Sequence, residues 1–255
     1  MLAVAARKAR EESGASQPVR VHSKLFYRLD GFGYTDDSWW QVWVVDVATR
    51  ETRQLTDGPW HHGAPVWSPD SRTIAFVANR REDDDLEFMH DSIYTVPAAG
   101  GELTQVPAPE GPKGALAWSP DGRWIAMIGH TDPDDVEGCR NERVLVIPAT
   151  GAAEAIDVTG ASDKAVGYLT LSDMQDAGGG TPLAWSADSR VLYFAVSERG
   201  DTRLFRAGAN GSALTPLTPS GKSIVSFRKW TDPSVNRAFA PPGCLLRMSF
   251  SKAGA

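Results

Sequence analysis

Short apolar runs recur along the chain, each entered through a tryptophan and a polar turn. Val66-Trp67-Ser68-Pro69-Asp70-Ser71-Arg72 precedes Ile74–Val77, and Ala117-Trp118-Ser119-Pro120-Asp121-Gly122-Arg123 precedes Ile125–Ile128. Ala184-Trp185-Ser186-Ala187-Asp188-Ser189-Arg190 precedes Leu192–Val196. Within the runs apolar residues are consecutive rather than alternating, the pattern of strands covered on both faces. A second apolar element recurs at Val42–Val45, Ile93–Val96 and Val144–Ile147. Trp67 and Trp118 are 51 residues apart, as are Pro97 and Pro148, and Gln54 and Gln105. Independent elements sharing one period define an internal repeat.

Each repeat reads as four strands; in the second unit these are A at about 64–68, B at 72–78, C at 92–97 and D at 102–107. The Ser-Pro-Asp-Gly segment is a hairpin turn: Pro presets φ, Asp bonds nearby amides and Gly accepts positive φ. Only Gly122 keeps the last feature, and Ala187 replaces the proline in the third copy. Ala98–Gly101 and Ala149–Gly151 read as C–D loops. Four strands in about 50 residues predict a propeller blade. The fold expected is all-β: a partial β-propeller of about four blades of four antiparallel strands.

The blades are expected at about 2–56 (incomplete), 64–107, 114–159 and 182–218, with the start of a fifth at 223. Trp118 to Trp185 is 67 residues, which places a 16-residue insertion within 163–180, between two units. Leu2–Lys8 aligns with Ile74–Arg80 at an offset of 72 residues, so the chain is expected to begin in strand B of a blade whose first strand is missing. An open arc is expected to expose blade faces and self-associate. Residues 223–227 resemble a strand A, but no turn follows. Through Phe227 the formal charge is −10; beyond it the charge is +4. Residues 227–255 are therefore expected to be a divergent, poorly ordered tail of frameshifted or foreign origin, with Cys244–Phe250 lacking a partner strand.

The 255 residues carry a net charge of −6, which argues against partnership with nucleic acid or anionic membrane. Two cysteines exclude a disulfide framework and multi-cysteine zinc modules, and no cofactor is implied. The apolar runs are too short to span a bilayer. The opening Met1–Ala6 lacks a basic n-region, so a cytoplasmic location is expected.

Several segments together resemble the propeller half of the prolyl oligopeptidase family of serine peptidases, in its acylaminoacyl peptidase and dipeptidyl peptidase-like branch. They are Tyr27–Tyr34, Leu55-Thr56-Asp57-Gly58, the three Trp turns, Ser172-Asp173 with Gly178–Ser186, and Glu198-Arg199-Gly200. The resemblance covers about 20–226 and implies a propeller that caps an α/β-hydrolase domain and admits peptides by size. That domain would be the partner, and a peptide the substrate. The catalytic residues would lie in the hydrolase domain, and no Gly-x-Ser-x-Gly elbow occurs in this chain. The main functional expectation is thus a non-catalytic propeller that gates and orients peptides. The alternatives are a stand-alone TolB-like propeller binding protein or small ligand, and a truncated product without independent function.

No catalytic, cofactor or metal residues are assigned; the residues singled out are those of the repeated turn, Trp67, Pro69, Asp70, Trp118, Pro120, Asp121, Gly122, Trp185 and Asp188. Asp83-Asp84-Asp85, Glu87, His90 and Asp91 could hold a cation or a peptide amino terminus, but acidic loops are usually solvated. The same weighing applies to Asp132, Asp134, Asp135 and Glu137. His61-His62 reads as loop packing, since no ligand partners lie nearby in sequence. Trp39-Trp40 reads as edge packing before it reads as a stacking platform. Ser162-Asp163-Lys164 has no histidine with which to form a catalytic dyad.

Overall fold

Alternating residues of the longest apolar strands enter two different cores, and this organises the chain. The computed structural model describes residues 9–10, 12–14, 19, 21–29, 33–35, 38–151, 153–169, 183–221, 223–230 and 245–250. The strand expected at 2–8, the segments 172–173 and 178–182, and most of the tail lie outside them. The chain divides into two compact units, Met1–Ser38 and Trp39–Ala255. In the first, β1 (Arg28–Leu29) pairs with β2 (Gly33–Tyr34), and His22 stacks on Tyr34 with ring centroids 5.5 Å apart.

In the second unit β3 (Trp43–Val45) and β4 (Thr52–Gln54) form a hairpin. Next comes a four-stranded antiparallel sheet in sequential order: β5 (His62–Trp67), β6 (Thr73–Ala78), β7 (Ser92–Pro97) and β8 (Thr104–Val106). A second such sheet contains β9 (Lys113–Trp118), β10 (Trp124–Gly129), β11 (Arg143–Pro148) and β12 (Ile156–Asp157). A third contains β13 (Ala165–Val166), β14 (Leu183–Trp185), β15 (Val191–Glu198), β16 (Asp201–Gly208) and β17 (Thr215–Pro216). Finally β18 (Ile224–Trp230) pairs antiparallel with β19 (Leu245–Phe250). The pairing gives 245–250 the partner strand that sequence reasoning withheld, because its partner is reached across an intervening segment whose length hides the hairpin.

The sheets stack face to face. In β6, Ile74, Phe76 and Ala78 pack towards Val42 and Leu55, whereas Ala75 and Val77 pack with Leu116, Ile125 and Met127 of the next sheet. In β10, Ala126 and Ile128 turn the other way, onto Leu192, Phe194 and Val196. In β15, Tyr193 and Ala195 meet Ile224 and Phe227. Side chains alternate across a strand, so a run covered on both faces must be apolar at every position. The fold is all-β and of the propeller type, with adjacent first strands β5, β9 and β14 alongside one another.

The insertion has a different position from the one expected. β5 and β9 each break register midway, between Gly63 and Val66 and between Gly114 and Ala117, with Ala64 and Ala115 at positive φ. In the third sheet β13 and β14 pair with the same edge of β15, at 196–197 and 192–194. They are the two halves of one first strand, and the inserted residues open at its bulge, where the ladder is already interrupted. Glu198-Arg199-Gly200-Asp201 is a two-residue hairpin; Arg199 and Gly200 both have positive φ, as a type I′ turn requires.

Candidate functional site

The repeated turn residues lie where the first and second strands of each sheet join, and their polar groups are spent inside the turn. Ser68, Ser119 and Ser186 each donate a 2.6 Å hydrogen bond to Asp70, Asp121 and Asp188. The same hydroxyls accept from the backbone of Thr73, Trp124 and Val191 at 2.9–3.0 Å. These bonds hold all three aspartates below their ordinary carboxyl range, Asp121 at about 2. Pro69 and Pro120 occupy the first central position, and Ser71, Gly122 and Ser189 take positive φ after them or their counterpart. The three tryptophans diverge. Trp67 is half exposed, Trp118 buries an indole N–H without a partner among the described residues, and Trp185 donates its N–H to Ala117 O of the preceding sheet at 3.0 Å.

A further repeated polar device was not singled out from sequence. Buried Thr56, Thr159 and Thr218 accept the backbone N–H of Val42, Val144 and Leu204 at 2.8–3.1 Å. Its sequence signal is an apolar residue followed by Thr at the end of three units, Leu55-Thr56, Val158-Thr159 and Leu217-Thr218.

Several acids of the two loops are bound by their neighbours. Glu87 accepts from Arg81 at 2.9 Å, and the Asp91 carboxylate accepts the Lys113 backbone N–H at 3.0 Å. Lys113 Nζ donates to the carbonyls of Asp91 and Gly111, both at 2.7 Å; burial lowers its pKa to about 8 and raises that of Asp91. Asp132 pairs with Arg140, and Asp135 accepts the N–H groups of Cys139 and Arg140. Asp163 accepts from Asn141, and Lys164 pairs with Glu198, which also binds Arg203, so these residues tie strands together. Among the described residues no cluster of three or more His, Cys, Asp or Glu could hold a metal ion.

A cavity of about 290 Å³ lies at one end of the β5–β8 sheet. It gathers Arg80 and Arg81 after β6, His90 and Asp91 before β7, Tyr94 in β7, Gln105 in β8 and Glu110 beyond it. Glu110 lies 3.5 Å from Arg81 and 3.3 Å from His90 Nδ1, the latter off the direction a hydrogen bond requires. His62 sits behind this cavity. Its Nδ1 is 3.3 Å from Trp40 O and its Nε2 3.3 Å from Arg80 Nη1. Burial lowers its pKa, and Arg80 lowers it further. The neutral ring therefore donates through Nδ1 and accepts from Arg80 through Nε2. His61 accepts the Trp40 N–H at 3.2 Å, and the exposed Trp40 ring meets His61 edge-on. Both histidines thus organise the loop, and His62 also aims an arginine.

No family model matches the chain. A stretch of 84 residues is 36% identical to an uncharacterized peptidase, YuxL, of Bacillus subtilis (strain 168), and covers 33% of this chain and 13% of that one. The fold superposes on a puromycin-hydrolyzing peptidase of Mycobacterium tuberculosis with a TM-score of 0.52 and 17% identity, covering 82% of this chain and 31% of that one. The chain is similar to the propeller half of a prolyl oligopeptidase family peptidase. TolB from Acinetobacter baumannii superposes over 82% of this chain and 57% of its own, with a TM-score of 0.40 and 16% identity, a likeness too slight to bear on function. The chain spans only a minor part of both peptidases, so the match does not carry their catalysis with it. No helix among the described residues is long and apolar enough to cross a membrane.

Proposed function

We propose that the chain is the non-catalytic β-propeller portion of a serine peptidase acting on peptides, where it gates and orients substrates for a hydrolase domain outside these 255 residues. The observation that carries this reading is the 36% identity with a peptidase over 84 residues of a chain that has no nucleophile elbow. The polar cavity supports it, since convergent charged and aromatic groups around a concavity suit a small polar ligand. Ser162-Asp163-Lys164 supplies no competing catalytic unit, because its Asp and Lys are held by Asn141 and Glu198.

Two measurements on the 255-residue chain test the proposal. A fluorophosphonate probe should label no serine, and short peptides titrated calorimetrically should bind saturably. A labelled serine would show a catalytic centre and overturn the non-catalytic assignment. Failure of every peptide length to bind would remove substrate orientation.

A further inference from the structure

Among the described residues Arg80 differs from Arg81, which lines the same cavity, and from the nearby buried Lys113 in having no acidic or carbonyl partner. Arg81 is paired with Glu87 and Glu110, and Lys113 is enclosed by carbonyls. Among the described residues the contacts of the Arg80 guanidinium are the His62 imidazole and two aromatic rings. It lies 4.6 Å from the Trp60 ring centroid and 5.8 Å from that of Tyr94. Trp60 is itself fixed, its indole N–H donating to Arg81 O at 3.1 Å, and Tyr94 is stacked on Phe76 at 5.9 Å.

These contacts preorganise the side chain. Stacking on an aromatic face fixes the guanidinium plane while leaving its edge donors available. A bond from Nη1 to a neutral imidazole uses one of five N–H groups and brings no neutralising charge. The strand register explains the convergence: His62 pairs with Ala78, two residues before Arg80, and Ala78 pairs with Ser92, two before Tyr94. A half-buried arginine held in this way and bordering a cavity presents a planar fork matched to a carboxylate.

We infer that Arg80 is a binding residue for the carboxylate of a peptide ligand in this cavity. The inference rests on the peptide-binding reading above and adds to it the group that is recognised. That carboxylate could be the C-terminus of the peptide or an acidic side chain; both offer the same two oxygens.

The test titrates the 255-residue chain with four probes: an N-acetyl tripeptide of small neutral residues with a free C-terminus, its C-terminal amide, the amide carrying one Glu, and N-acetylglycine. The free acid should bind about tenfold or more tightly than the neutral amide. R80Q should abolish that preference while the far-UV circular dichroism is retained. Recovery of affinity by the Glu-containing amide would assign the oxygens to a side chain; recovery only by the free acid would assign them to a terminus. Either supports the inference. Equal binding of the free acid, the neutral amide and the Glu-containing amide by the unaltered chain would overturn it while leaving peptide binding intact, and this arm needs no variant to fold. Binding of N-acetylglycine without any tripeptide would leave Arg80 as a carboxylate site and remove the peptide reading. Silence from all four probes would remove both.

Discussion

Trp118 and Trp185 occupy the same position of the repeated turn, yet the structure predicts that removing their indole N–H groups has different consequences. Trp185 is 3% exposed, packs among Leu192, Phe194 and Val196, and donates to Ala117 O of the neighbouring sheet. W185F forfeits that bond, worth about 1 kcal/mol net, together with part of a well-filled contact. Trp118 buries its N–H with no acceptor among the described residues, a condition that costs about 1–3 kcal/mol. W118F therefore removes a penalty that offsets its smaller loss of packing, since the ring is only partly buried against its core. The two changes delete the same atoms, so their difference isolates the hydrogen bond and the burial. W185F should be the more destabilising by about 2 kcal/mol, or about 4–8 °C in melting temperature for a chain of this size. Urea denaturation followed by far-UV circular dichroism measures it directly. Equal losses, or a larger loss for W118F, would refute the assignment of the inter-sheet bond to Trp185.

Asp121 titrates near 2 in the folded chain because Ser119 and the Arg123 backbone and side chain bond its carboxylate. A lowered folded-state pKa gives stability that is present above about pH 4 and lost as pH falls towards 2, so D121N should flatten the pH dependence of stability across that window; parallel profiles would contradict it. T159V leaves the buried Val144 N–H without its 3.1 Å acceptor and should cost about 1–3 kcal/mol in urea denaturation. Ser71 has φ 59°, so S71G should stabilise by about 0.5–1 kcal/mol, whereas G122S, at φ 73°, should destabilise comparably. Thermal melts of the two variants check the opposite signs.

The amino-acid order determines strand position, turn chemistry and repeat length, because these depend on neighbours in the chain. A Ser two residues before an Asp closes its own turn wherever it occurs, and consecutive apolar residues such as Ile125–Ile128 announce a strand with two covered faces. The all-β propeller character follows from those local rules repeated about every 51 residues. Other features depend on contacts across strands and sheets, which no local pattern carries. Which tryptophan reaches an acceptor depends on how one sheet packs on the next. The insertion opens inside the first strand of the third sheet because the register is already broken there, a fact visible only once β13 and β14 share the edge of β15. The cavity joins Arg80, Tyr94, Gln105 and Glu110 across thirty residues of sequence. The acidic run at 83–91 reads in the chain as a solvated loop before it reads as a cation site, and in the fold Glu87 and Asp91 bind Arg81 and the Lys113 backbone. The placing of Arg80, which has no anion among the described residues, is set by strand register and by the neutral His62 behind it, and both exist only after the sheet has formed.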